Sequence, residues 1–320
     1  MRLLLAALGA LLFAGPVAGQ TKAPPSPADR DRALEAAAKE EAAGHAAEAA
    51  RQLRLVADRF HSVKALLQLA RLQRSQDDVA GAIESLRQAR AIAPNSEEVL
   101  SAYAEASLAA RSTLPAIAAL DALTRICPTV AQYHFQKGTT LMQEGDTAAA
   151  VESLKEAARL EPSSAPMLIA LGTALDRRES YADAKTQLLR ALSLAPDKME
   201  AVAALAAAEE GLGERDAAET HAKRALAQLS PPALAHLVMG MVRMKQDRCD
   251  EARDALLAAQ AADPASAQAH YQLSLAYACL KDPATSRQHL DAYQKEVKDT
   301  EDRIRRVRSV TGFSEGATAP

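Results

Sequence analysis

Three kinds of side chain in this sequence could carry chemistry. Three of the seven histidines, His134, His236 and His270, are separated by multiples of 34 residues, and imidazole is a common zinc ligand. The three cysteines, Cys127, Cys249 and Cys279, could supply one disulfide and one free thiol. Glu40-Glu41, Asp77-Asp78, Glu97-Glu98 and Glu209-Glu210 are paired carboxylates of the type used in acid–base catalysis. Neighbours in sequence diverge on a helix, however, so these pairs are expected on solvated faces or in first helical turns. HExxH, GxSxG, CxxC and a glycine-rich phosphate loop are all absent, which removes the usual spacing signals for zinc, acyl transfer and nucleotides. No catalytic residue, metal site or cofactor is expected.

The elements that must position these residues are helices. Apolar residues make up 48% of the 320-residue chain, yet aromatics are 3% and Trp is absent, so the core must be built from Ala and Leu. Ala, Leu, Glu, Lys, Gln and Arg dominate without period-two alternation, the pattern of an all-α protein. The formal net charge of −3 and the lack of a concentrated basic face argue against nucleic acid.

One register orders most of the chain. Ala82, Ala116, Ala150, Ala184, Ala218 and Ala252 recur at intervals of 34. Four residues after each stands Leu86, Leu120, Leu154, Leu188, Ala222 and Leu256, with Leu290 one interval later; three further on come Ala89, Leu123, Ala157, Ala191, Ala225 and Ala259. Offsets of four and three share one helical stripe. Pro94, Pro128, Pro162, Pro196 and Pro264 close these helices, with Pro231 one residue late. Thr129 with Gln132 and Asp197 with Glu200 have capping-box spacing, and Ser96, Ser164 and Ser266 can act as simple N-caps. An earlier helix in each interval carries only small residues at Ala70, Ala104, Gly138, Gly172, Ala206, Gly240 and Ser274, which lets the two helix axes approach as an antiparallel hairpin.

A 34-residue helix-turn-helix with Ala then Leu in its second helix and a closing Pro resembles the tetratricopeptide repeat; Ala170-Leu171-Gly172 through Ala184, Leu188, Ala191 and Pro196 matches best. The resemblance implies a right-handed α-solenoid of about eight repeats over residues 30–305, in units near 30–62, 63–96, 97–130, 131–164, 165–198, 199–232, 233–266 and 267–305. The first unit is one residue out of phase, Ser286 replaces an expected Ala, and the family's aromatic near each unit's start is missing. Such units stack on their neighbours. Equivalent histidines therefore lie a whole helix pair apart, too far to share a zinc ion at bonds of about 2.0–2.1 Å, and a packing role is expected. Antiparallel stacking brings Cys249 and Cys279 to neighbouring helix ends, so a bridge and two buried thiols both stand as readings; Cys127 has no evident partner.

The resemblance also implies that first helices line a concave groove for an extended peptide or a helix. Their inward columns supply Lys64, Arg71, Arg74, Glu98 and Glu105, then Phe135, Met142 and Ile169, then Leu234, Leu237, Met241, Met244, Tyr271 and Leu275. The last two groups form the expected protein-binding groove, with ordinary core as the competing reading. The charged run from Lys295 to Arg306 reads as a helix capping the last repeat or, alternatively, binding a partner.

Arg2, the apolar run Leu3–Phe13 and small residues up to Gly19 read as a signal peptide over 1–19, without a lipobox cysteine. A Pro-rich linker is expected over 20–29 and a disordered tail over 306–320, with no membrane span once the leader is cleaved. The expected protein is a periplasmic or secreted, non-catalytic adaptor that holds another protein, with no small-molecule substrate indicated. The alternative is an accessory subunit of an envelope enzyme or of an export or polysaccharide-synthesis complex.

Overall fold

The computed structural model describes residues 26–230 and 232–312. The leader over 1–19, residues 20–25 of the expected linker, Pro231 and residues 313–320 lie outside the described residues.

Among the described residues there are sixteen α-helices and no strand. In chain order they are α1 (Pro27–Ala42), α2 (Ala46–Phe60), α3 (Val63–Ser75), α4 (Val79–Ile92), α5 (Glu97–Ala109), α6 (Thr113–Ile126), α7 (Ala131–Glu144) and α8 (Thr147–Leu160). The second eight are α9 (Ala165–Arg177), α10 (Tyr181–Leu194), α11 (Met199–Gly211), α12 (Arg215–Leu226), α13 (Ala233–Lys245), α14 (Cys249–Ala262), α15 (Ala267–Cys279) and α16 (Pro283–Thr311). The chain is an all-α solenoid of helical repeats.

The linker ends earlier than expected. Ser26 caps α1 in a capping box with Asp29, so residues 27–29 are already helical. The tail also begins later, because α16 continues to Thr311 and buries Val307 completely.

Two compact units divide the chain at Ala65 and Leu66. In the first, α1 and α2 pack as a hairpin, burying Leu34 and Ala37 from one and Ala49, Leu53, Val56 and Ala57 from the other. In the second, the repeat register is the packing register. All six alanines from Ala82 to Ala252 are 0% exposed, and Leu86 through Leu256 are as deeply buried. Leu290, at the end of that column, is 38% exposed. A Cβ added to Gly138 or Gly172 would lie 2.5 or 2.6 Å from the Cγ of Leu154 or Leu188, which explains why only small residues occur in that column.

The turns repeat as strictly as the core. Asp77, Arg111, Gly145, Glu179, Gly213, Asp247 and Lys281, each 34 residues after the last, all have positive φ between 56° and 87°. The left-handed conformation ends each first helix and reverses the chain. At the other end of the hairpins, Ala93, Cys127, Glu161, Ala195 and Asp263 leave the helix with ψ between 64° and 87°. Each immediately precedes a proline, whose ring excludes helical geometry from the residue before it.

Ser96 and Ser266 cap their helices as expected, accepting from the Val99 and Ala269 amides, but local capping does not by itself set the helix starts. The N-caps of the first helices are Ser96, Val130, Ser164, Lys198, Pro232 and Ser266, again at intervals of 34. The boxes expected at Thr129 and Asp197 are not formed, since α7 and α11 start from the next residue without a side-chain cap. Ser164 stands at its cap position but makes no capping bond.

Candidate functional site

The inner face follows from helix order. The first helices α7, α9, α11, α13 and α15 touch one another directly as well as their own partners, so they occupy the tighter, inner side of the curve. Residues on their inward stripe, offset by three or four, recur every 34 residues.

The residues expected in the groove fall into three environments. Phe135, Met142, Ile169 and Leu234 are half-buried against a core cluster containing Leu168, Leu171 and Leu205. Met241 and Met244 are also half-buried, packed on Leu256, Ala269 and Leu273. Tyr271 and Leu275 are each 40% exposed. Leu237 requires correction: it is buried, enclosed by Leu256, Ala269 and Leu273, and belongs to the core. The face is therefore a row of partly covered apolar side chains that becomes most open at α15.

Two acidic residues of this face were not among those expected in the groove. Asp176 and Glu210 stand at 34-residue spacing between Met142 and Met244 in one inward column, a periodic signal that was available. Burial pushes the Asp176 carboxyl up to about 6, against the opposing Arg177 charge and with help from Glu210. One of its carboxylate oxygens is buried without a hydrogen-bond partner. Burial also raises Glu210, opposed by Lys245 and Arg215. Two under-neutralised carboxylates thus interrupt the apolar row and favour a cation beside them.

Of the pair Glu209-Glu210, expected on a solvated face, Glu209 is instead inside the array and Glu210 part-buried on the inner face. Glu209 is 3% exposed, hydrogen-bonds His221 at 2.7 Å and lies 3.7 Å from Lys185, which also pairs with Glu214. Its charge is matched across α10, α11 and α12, as a buried carboxylate requires.

The remaining chemistry is structural. His134 Nε2 lies 3.0 Å from the Pro128 carbonyl oxygen, burial lowers the pKa of His236, and His270 meets His289 of α16 at 3.2 Å between Nδ1 atoms. Among the described residues no group of three or more His, Cys, Asp or Glu side chains is placed to hold a metal. Cys249 and Cys279 are joined in a disulfide with their Cα atoms 6.1 Å apart, tying the start of α14 to the end of α15, while Cys127 is free.

Two segments match the tetratricopeptide repeat family, residues 141–209 and 237–299. With the repeat geometry above, they identify the chain as a tetratricopeptide repeat protein. A solved tetratricopeptide repeat protein from Parabacteroides merdae is similar, at 15% identity and a TM-score of 0.53, over 77% of this chain and 98% of that one. The APC/C hetero-tetramer Cut9–Hcn1 is similar at 18% identity and a TM-score of 0.52, over 78% of this chain and 48% of that one. No curated protein sequence matches the chain significantly. Arrays of this type are generally non-catalytic scaffolds that bind proteins or peptides, and among the described residues no helix is long and apolar enough to cross a membrane.

Proposed function

We propose that this chain is an exported adaptor that holds a segment of another protein along the inner face of its first helices. The observation that carries this reading is the inward row itself: apolar side chains left partly uncovered from Phe135 to Leu275, with Asp176 and Glu210 set among them. Flexible methionines suit an adaptable contact, and the carboxylates favour a segment in which Lys or Arg stands between apolar residues. Export rests on the arginine-led apolar leader before Gln20.

Capture from envelope extract tests the site. The wild-type chain is expected to retain a partner that the folded Leu275→Glu and Asp176→Lys variants each release. Identical captured proteins from all three chains would exclude the inner face. Recovery of the expressed chain in the cytoplasm with Met1 or Arg2 still in place would exclude export.

A further inference from the structure

The long helix α16 does more than cap the last repeat. The second helices α4, α6, α8, α10 and α14 have 14 residues each, whereas α16 has 29. Its first half packs on α15, where Tyr293 meets Tyr271 with ring centroids 5.3 Å apart. The second half leaves that repeat and docks on α6 and α7, five and four repeats away in sequence. There Val307 is fully buried with Ile117, Leu141, Ala149 and Ala150. Arg308 donates to the Asp146 carboxylate from Nε at 3.0 Å and Nη2 at 3.3 Å.

The receiving surface is adapted to this contact. Of the seven left-handed turn positions, five carry side chains with charge, and Gly213 has nothing within 4 Å of an added Cβ. Backbone geometry thus does not demand glycine in this column. At Gly145, unlike Gly213, an added Cβ would meet α16, 2.5 Å from Thr300 Cγ2 and 4.0 Å from Ile304 Cδ1. Asp146 is likewise singular. Its counterpart Asp78 is an exposed N-cap, whereas the Asp146 side chain caps α8 through Ala149 and is only 1% exposed because Arg308 covers it.

We propose that the surface of α6, α7 and α8 around Gly145 is a helix-binding seat, and that the end of α16 fills it as a releasable strap closing repeats four to eight. The ligand class is an amphipathic helix with Thr or an apolar residue at i, i+4 and i+7 and Arg at i+8, the spacing of Thr300, Ile304, Val307 and Arg308. Release is built into the composition. Lys298, Asp299, Glu301, Asp302, Arg305 and Arg306 keep the rest of the strap polar, and Val307 is the only fully buried side chain on α16. With a single fully buried side chain on an otherwise polar helix, this contact opens before the array does. An open cavity of about 490 Å³, lined by Leu141, Ala149, Thr311 and Gly312, flanks the docked end and gives a competing helix a point of entry.

The seat adjoins the inner-face row at Met142, which packs on the Val307 cluster, but its test needs no protein captured along that row. Amide hydrogen exchange is measured on the full chain and on Gly145→Arg, which reproduces the residue found in the same conformation at Arg111. Exchange over 297–311 is expected to accelerate at least tenfold while α9–α14 keep their protection. A labelled synthetic peptide spanning residues 293–312 is then titrated into wild type, Val307→Asp and Arg308→Glu. It is expected to bind the two strap variants at least tenfold more tightly than wild type, and to lose that binding when Gly145→Arg is added. Unchanged exchange over 297–311 in Gly145→Arg, or equal peptide affinity for wild type and both strap variants, would overturn the seat.

Discussion

At the scale of single residues, the array tolerates buried charge where partners surround it and is least satisfied where they do not. Glu209 has His221 and Lys185, but Asp176 has a buried oxygen without a partner. The sign of its pH effect follows. A folded-state value of about 6 against an ordinary 3.8 means that the folded chain holds the proton more tightly than the unfolded one. This contribution is complete below pH 3.8 and is lost as pH rises through about 6. Asp176→Asn should therefore stabilise the chain at pH 7.5 by about 2 kcal/mol, with the gain vanishing near pH 3.5; urea melts at the two pH values measure it. The alanine register was legible because a residue that must touch the opposite helix allows few substitutes. Asp176 and Glu210 were missed because their column mixes Met with acid, so it showed no single residue type.

At the scale of the helix pair, stability comes from close packing of small residues. Ala184 is fully buried in the column that faces the paired helix, so Ala184→Glu should cost more than about 3 kcal/mol through overpacking and a buried charge. Leu189→Glu, on the same helix at a 48% exposed position, should change stability by less than about 0.5 kcal/mol. Equal thermal shifts for the two would disprove the register. The Cys249–Cys279 bridge closes a loop with a sequence separation of 30. Reducing it should cost about 3 kcal/mol, and thiol titration of the unfolded chain should find one thiol before reduction and three after. The N-caps carry a further lesson. Thr129 and Asp197 have good local signals, yet α7 and α11 begin one residue later, at the position that keeps them in step with the other repeats. Stacking against two neighbours outweighs a cap worth about 1 kcal/mol.

At the scale of the whole molecule, function depends on which faces the repeats leave uncovered. The inner row is continuous in sequence register but not in exposure: Leu237 is closed over, whereas Tyr271 and Leu275 remain open. Substitutions at Leu275 should accordingly change partner capture without lowering the melting temperature, while Leu237→Glu should unfold part of the array and confuse the two effects. Export, if it operates, yields a mature chain beginning at Gln20, and intact-mass measurement of periplasmic material checks this directly.

The sequence by itself determined the fold class, the 34-residue repeat and the core columns, because each depends on contacts within a hairpin or between adjacent hairpins, and those contacts recur. It also placed Cys249 and Cys279 at neighbouring helix ends. Only the tertiary structure decided that Glu209 lies inside, that Leu237 is core, and that α16 returns to Gly145 and Asp146. That last contact joins residues 162 apart in the chain and occurs once, so no periodicity announces it. His134, His236 and His270 are set apart by the same repeat that makes them look like a cluster, and the one that finds another imidazole, His270, finds it on α16.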